Sequence, residues 1–279
     1  MKRVAINVTI CLASFAVGVA VASVLTWIKQ PVTMDQPVQV NVTGQPPPTV
    51  VPEPPTPSNR EVVFAGGRLR IVPGQVELKD ERLRYKINVT YPQIVGSEDL
   101  HIRKLNRRLK QLAIKDYDWA LSPSDADLRY YREKWPDVFN TVAIDYEIRW
   151  ATASFFSIYF EGYSYGIGAA HAVQYSFVMN YDFALRKEVK LSDIFTPRSK
   201  YMEFISRYCT NEFSKQSTLM FEEALIPKPA NFASWNVTRD AIRFNFDECR
   251  VFGCASGEQK VEIPFAELKA FLNVHFPRE

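Results

Sequence analysis

His171 is the side chain in this sequence best suited to acid–base work. It closes a glycine-spaced loop, Gly166-Ile167-Gly168-Ala169-Ala170-His171, and two aspartates, Asp182 and Asp193, follow it. An imidazole titrates near neutrality and a carboxylate can orient it, so His171 with Asp182 or Asp193 is one candidate hydrolytic arrangement. No nucleophile stands at a defined spacing from it, and neither H-x-x-x-H nor H-E-x-x-H occurs. The expected role of His171 is therefore structural, its ring hydrogen-bonding loop backbone at the glycine corner. The other histidines, His101 and His275, are isolated. No metal site, no cofactor and no catalytic activity are expected.

Carboxylates offer a second chemistry. Asp145, Glu147 and Glu161 fall on strand-like alternation. A glycosidase pair needs two carboxyls about 5–10 Å apart across a cleft. Spacing along a chain does not establish that, and strand acids are ordinarily solvated or salt-bridged. Aromatic side chains offer a third possibility, recognition. Tyr159, Tyr163, Tyr165 and Tyr175, with Trp150 and Phe160, cluster around the glycine loop in sequence. Such platforms suit sugars or proteins, although alternating aromatics are also ordinary core residues of a sheet. Gly168, His171, Tyr163, Tyr165 and Tyr175 are the candidate contact region.

The elements that must position these residues are strands and helices in irregular succession. Glu61 to Val72 and Leu83 to Tyr91 read as strands, the second through Tyr85, Ile87, Val89 and Tyr91 at period two. Ser97 to Leu121 reads as a helix with Ser97 as N-cap and an apolar face of Ile102, Leu105, Leu109 and Leu112. Its other face carries Arg103, Lys104, Arg107, Arg108 and Lys110. That face is read as solvated rather than as a lipid- or polymer-binding surface. Thr141 to Arg149 and Ala153 to Tyr163 form an expected antiparallel pair leading to a strand at Val173 to Phe183. Residues 197–215 read as a helix, Phe232 to Val237, Ala241 to Phe246 and Gln259 to Ile263 as closing strands, and Pro264 to Leu272 as a last helix. Without regular βαβ alternation the fold class is α+β, a mixed, mainly antiparallel sheet with a few packed helices.

The first 60 residues stand apart. Val4 to Ile28 is an uncharged run of 25 residues flanked by Lys2-Arg3 and Lys29, long enough to span a bilayer. The paired positive charges place its N-terminus in the cytoplasm and the remainder outside. A cleaved signal peptide, with Ala20-Val21-Ala22 as its site, is the rival reading. Residues 1–29 are assigned to an anchor, because the apolar run continues past that site. Residues 30–60 hold nine of the 18 prolines and read as an extended stalk. Residues 61–279 form the extracytoplasmic domain. The expected location is the bacterial inner membrane, single-pass, with the domain in the periplasm. Setting aside Lys2, Arg3 and Lys29 leaves 31 basic residues against 31 acidic, so a nucleic-acid partner is not expected.

Of four cysteines, Cys209, Cys249 and Cys254 lie outside the apolar segment. An odd count points to one disulfide and one lone thiol. The spacing of Cys249 and Cys254 suits a bridge across a tight bend, with Cys209 a competitor and a C-x4-C zinc half-site the alternative.

Several phrases together resemble the RsiV-type extracytoplasmic domain family. These are Gly168-Ala169-Ala170-His171, Asn180-Tyr181-Asp182, the step from Val189 to Phe195, the strand from Ala241 to Asp247, and Val261-Glu262-Ile263-Pro264-Phe265-Ala266-Glu267-Leu268-Lys269. The resemblance runs from about Arg84 to Leu272. It implies a mixed α/β module that binds lysozyme in anti-sigma factors of the RsiV type and precedes a separate deacetylase domain in PdaC-type cell-wall enzymes. Lysozyme or peptidoglycan is the partner so implied, and a peptidoglycan-modifying hydrolase using His171 is the alternative. Three residues precede the apolar segment, so anti-sigma activity is not expected. Cys249 and Cys254 occupy positions often aromatic in the family, which the resemblance reads as a bridge in place of packing.

Overall fold

The computed structural model describes residues 61–115, 117–121, 125–216, 220–273 and 276. The expected anchor at 4–28 and stalk at 30–60 lie outside the described residues. No helix among the described residues is long and apolar enough to cross a membrane.

The expected first strand divides in two. β1 (Val62–Phe64) and β2 (Leu69–Asp80) form an antiparallel hairpin. Ala65, Gly66 and Gly67 between them all have positive φ, which a continuous strand does not accommodate. β2 then runs through Pro73 and Gly74 rather than stopping before them. β1 pairs only with Leu69 to Ile71, leaving Pro73 on a sheet edge, where a missing N–H is tolerated.

β3 (Tyr85–Val95) follows, and α1 (Leu100–Ile114), α2 (Asp118–Leu121) and α3 (Asp125–Lys134) cross over to β4 (Asn140–Ala151). β5 (Phe155–Tyr165), β6 (Val173–Asp182) and β7 (Lys187–Glu188) continue as a meander. The seven strands make one sheet in chain order, antiparallel throughout except for β3 with β4. The α+β reading holds.

α1 begins later than its expected Ser97 cap. Asp99 is the N-cap, its carboxylate accepting from the His101 amide at 2.8 Å, while Ser97 Oγ accepts from the Asp99 amide. Ile102, Leu105, Leu109 and Ala113 are buried against one sheet face. Asn106 ties helix to strand by accepting from the Ile94 amide and donating to the Ile94 carbonyl, both at 2.8 Å. The five basic residues of the other face are exposed, and Arg108 pairs with Glu188 at 2.8 Å.

A second layer covers part of the opposite sheet face. It contains α4 (Tyr201–Ser214), α5 (Phe265–Leu268) and a three-stranded antiparallel sheet of β8 (Trp235–Val237), β9 (Ala241–Phe246) and β10 (Gln259–Pro264). Phe155 joins Ile205, Phe213, Phe232, Phe244 and Ile263 in its core. A buried polar seam joins the layers. Ser157 Oγ donates to Asn180 Oδ1 at 2.6 Å and accepts from Asn236 Nδ2 and the Val237 amide. Cys249 and Cys254 form a disulfide, and Cys209 is a buried free thiol pushed up to about 12 by burial.

Candidate functional site

The structure separates the histidine from the two aspartates. His171 lies in the loop between β5 and β6, exposed, with Nδ1 2.8 Å from the Ala172 carbonyl. Asp182 ends β6, a strand of ten residues that begins at Val173, so about 30 Å separates its two ends. There Asp182 accepts from the Leu185 amide, and Asp193 pairs with Lys187 at 3.1 Å and accepts from the Lys190 amide. Those contacts hold Asp193 below the usual carboxylate range despite burial. Both aspartates fix turns, and the His171–Asp182 or His171–Asp193 arrangement does not form.

The aromatic contact region also divides. Tyr163 pairs with Gln174, and Gly162 pairs with Tyr175. Neighbours in a strand face opposite sides, so Tyr163 and Tyr175 lie on opposite faces of the sheet. The Tyr175 ring lies over Gly162, where an added Cβ would meet it at 2.3 Å. Tyr165 is buried, and Gly168 takes φ +89° in the loop. What anchors that loop is Asn140, whose Oδ1 accepts from the Ile167 amide at 2.9 Å.

The residues the structure does assemble are the strand acids. The half of the sheet face left bare by the second layer forms a trough. Strand register orders its side chains in rows: Lys79, Lys86, Thr141 and Tyr165 first, then Glu77, Asn88, Ala143 and Tyr163. Continuing that register brings Gln75 and Thr90 beside the cross-strand pair Asp145 and Glu161. A cavity of about 800 Å³ spans these rows and includes Lys79, Lys86, Phe139 and Asp145 in its walls. Asp145 also lines a second cavity of about 330 Å³, shared with Glu147, Arg149, Tyr159, Glu161, Arg243 and Lys260. The two cavities meet at Asp145.

The ends of the trough differ in make-up: cations gather round one aromatic ring at one end, and at the other Asp145, Glu147 and Glu161 stand among Arg149, Arg243 and Lys260. At one end Phe139 carries cations over its ring, with Lys86 Nζ at 4.2 Å, Arg84 at 5.2 Å and Lys79 at 5.6 Å. Buried Arg84 also donates to the carbonyls of Trp135 and Val138. At the other end the Tyr159 hydroxyl donates to Glu258 at 2.5 Å, and Lys260 pairs with Glu258 at 2.9 Å. Burial, then the Glu258 charge, pushes Tyr159 far above its ordinary value. Burial also raises Glu161, reinforced by Glu258 and Asp145 and opposed by Lys260 and Arg149. Burial lowers Arg149 although Glu147 sits 2.8 Å away.

Tyr159, Glu161 and Tyr163 alternate along β5 and so share one face of the sheet. Nothing local in sequence marks Glu258 and Lys260 as their partners, because that contact closes across β5 and β10. The sulfurs of Cys249 and Cys254 are joined to each other, which is the bridge across a tight bend rather than the zinc half-site.

Residues 192–266 match the DUF3298 family, described as a protein of unknown function. The DUF3298 segment supplies the Arg243, Glu258 and Lys260 side of the trough, and β4 and β5 supply the other side. Peptidoglycan-N-acetylmuramic acid deacetylase PdaC from Bacillus subtilis is 27% identical over 179 residues, covering 62% of this chain. The chain spans 37% of that relative's length. Solved DUF3298 family structures from Bacteroides fragilis and Pseudomonas aeruginosa share the fold at 18% and 12% identity. Each has a TM-score of 0.50 and covers 74% of this chain and 94% of its own.

Proposed function

We propose that residues 61–279 are a non-catalytic extracytoplasmic binding domain that recognises a cell-wall component, with peptidoglycan the first choice. In this reading residues 4–28 anchor the chain in the bacterial inner membrane and residues 30–60 hold the domain away from it, in the periplasm. The carrying observation is the trough on the bare half of the sheet, concave, lined by charged and polar side chains and open across four strands. Likeness to part of a peptidoglycan deacetylase supports the choice of polymer. A secreted protein such as lysozyme is the other ligand, implied by the RsiV-type resemblance.

The test is co-sedimentation of the protein with purified peptidoglycan sacculi, alongside calorimetry with lysozyme. Retention on sacculi that Lys86→Gln or Glu161→Gln weakens supports the reading. Retention on neither ligand removes it.

One observation favours a second reading, hydrolysis of a wall polymer. Asp145 and Glu161 are direct cross-strand neighbours beside a cavity, and Glu161 holds its proton more tightly than an exposed carboxyl. Two carboxyls facing one another beside a cavity are the groups that glycoside cleavage uses. This route replaces the one through His171. Turnover of peptidoglycan by the wild type, lost in Glu161→Gln at unchanged melting temperature, would establish the enzyme.

A further inference from the structure

The charge order along the trough narrows the kind of ligand. We propose that it holds a short extended peptide bearing opposite charges about four residues apart, its carboxylate against Lys86 and Lys79 and its cationic group against Asp145 and Glu161. The proposal rests on the binding reading above and specifies the part of a wall polymer, its peptide rather than its glycan, that the trough takes.

Three observations carry it. The first is distance. On β3 the row of Lys86 and the row of Thr90 beside Asp145 are four residues apart, about 13 Å at the rise of a strand. An extended peptide advances about 3.3–3.6 Å per residue, so four residues match that span. The second is relief. The row between the charged ends is Glu77, Asn88, Ala143 and Tyr163, and its two middle positions, Asn88 and Ala143, carry short side chains that leave a backbone room to lie along the sheet. The third is the aromatic side chain. A neutral sugar ring needs an open aromatic face, yet the Phe139 ring is already attended by Lys86, Lys79 and Arg84. Tyr163 shares the sheet face but lines neither cavity.

The pair at the basic end yields to a ligand. Lys79 sits 2.5 Å from Glu81, with both side chains more than half exposed, the kind of surface pair that contributes little and yields readily. At the far end a cation arriving between Asp145 and Glu161 favours the ionised form of Glu161, which burial and the neighbouring Glu258 and Asp145 disfavour and Lys260 and Arg149 support.

The test titrates the full chain, in detergent, with tetra-alanine carrying free amino and carboxyl ends. The controls are N-acetylated tetra-alanine, its C-terminal amide, di-alanine and a neutral N-acetylglucosamine tetramer. Capping either end, or halving the length, is expected to weaken binding about tenfold or more. Lys86→Gln, an exposed substitution whose folding is checked by its melting temperature, is expected to lose affinity for free tetra-alanine and to become indifferent to C-terminal amidation. Equal binding of capped and free peptides overturns the proposal, as does preference for the sugar tetramer or the absence of peptide binding. Sacculi retained by a protein that ignores every peptide sink this inference and leave the binding function standing. Loss of sacculus binding as well sinks both.

Discussion

Two halves of one sheet face are built from the same strands and end differently. On β5 the side chains of Phe155 and Ser157 pack into the second layer, whereas Glu161 faces Arg243 and Lys260 of that layer across a cavity. The covered half is apolar, with a single polar seam in which Ser157, Asn180 and Asn236 satisfy one another. The bare half is charged and concave, and its groups are displaced from their ordinary titration by partial burial. A strand of constant period therefore serves packing at one end and recognition at the other. What divides them is where β8–β10 lie across the face.

The largest effect should come from the sheet's other side. Phe160 is fully buried against α1, stacked with Phe177 at 4.7 Å and beside Tyr146. Phe160→Ala is expected to cost about 3–5 kcal/mol in urea denaturation. Asn88→Ala, exposed on the bare half, is expected to stay within about 0.5 kcal/mol. Comparable losses from both would mean the trough is packed as tightly as the core.

That contrast also marks what the sequence discloses. Alternation at Tyr85, Ile87, Val89 and Tyr91 revealed β3 and its buried face, and the Ala241 to Phe246 and Gln259 to Ile263 runs emerged as β9 and β10, because period two is a local signal. The Glu61 to Val72 run concealed a hairpin, whose turn is marked by the Gly66-Gly67 pair. The 125–134 helix, α3, received no reading in advance. The trough was least visible. His171, Asp182 and Asp193 are close in sequence and separated by the length of β6, whereas Tyr159 and Glu258 are far apart in sequence and touch. Short-range motifs favour the first grouping, and only long-range strand pairing creates the second.

Within the seam, Ser157→Ala removes one hydroxyl that serves three partners. The Val237 amide and the Asn236 side chain are then left buried without their acceptor, at a cost of about 1–3 kcal/mol. Equilibrium unfolding measures it. A neutral result would mean the layers are joined by apolar contact alone, which would erase the chemical distinction between seam and core.

The covering layer also depends on its disulfide. Cys249 and Cys254 close a loop whose Val251 and Phe252 are buried in the second core. Replacing both cysteines with serine is expected to cost about 2 kcal/mol, the loop-closure value for a short ring. If the trough belongs to the bare half, peptide affinity in that variant, measured well below its melting temperature, should be unchanged. A parallel loss of affinity would show that the two halves are not independent.

The smallest effect is a pH slope confined to the bare half. Glu161 is raised above its ordinary 4.5, chiefly by burial and secondarily by Glu258. The folded chain therefore binds this proton more tightly than the unfolded chain. The associated stability is fully present below the unfolded value and is lost as pH rises through the folded one. Glu161→Gln keeps the shape of the protonated carboxyl and discards its titration. Comparing urea midpoints of the two proteins from about pH 4 to about pH 8 should show a profile that declines less steeply in the variant across the lower part of that range. Asp193 shifts the opposite way, with its stability lost on acidification, and it remains in both proteins, so only the difference between profiles reports on Glu161. Superimposable profiles would mean that Glu161 is hydrated and ionised throughout. The bare half would then be ordinary surface rather than a partly desolvated site.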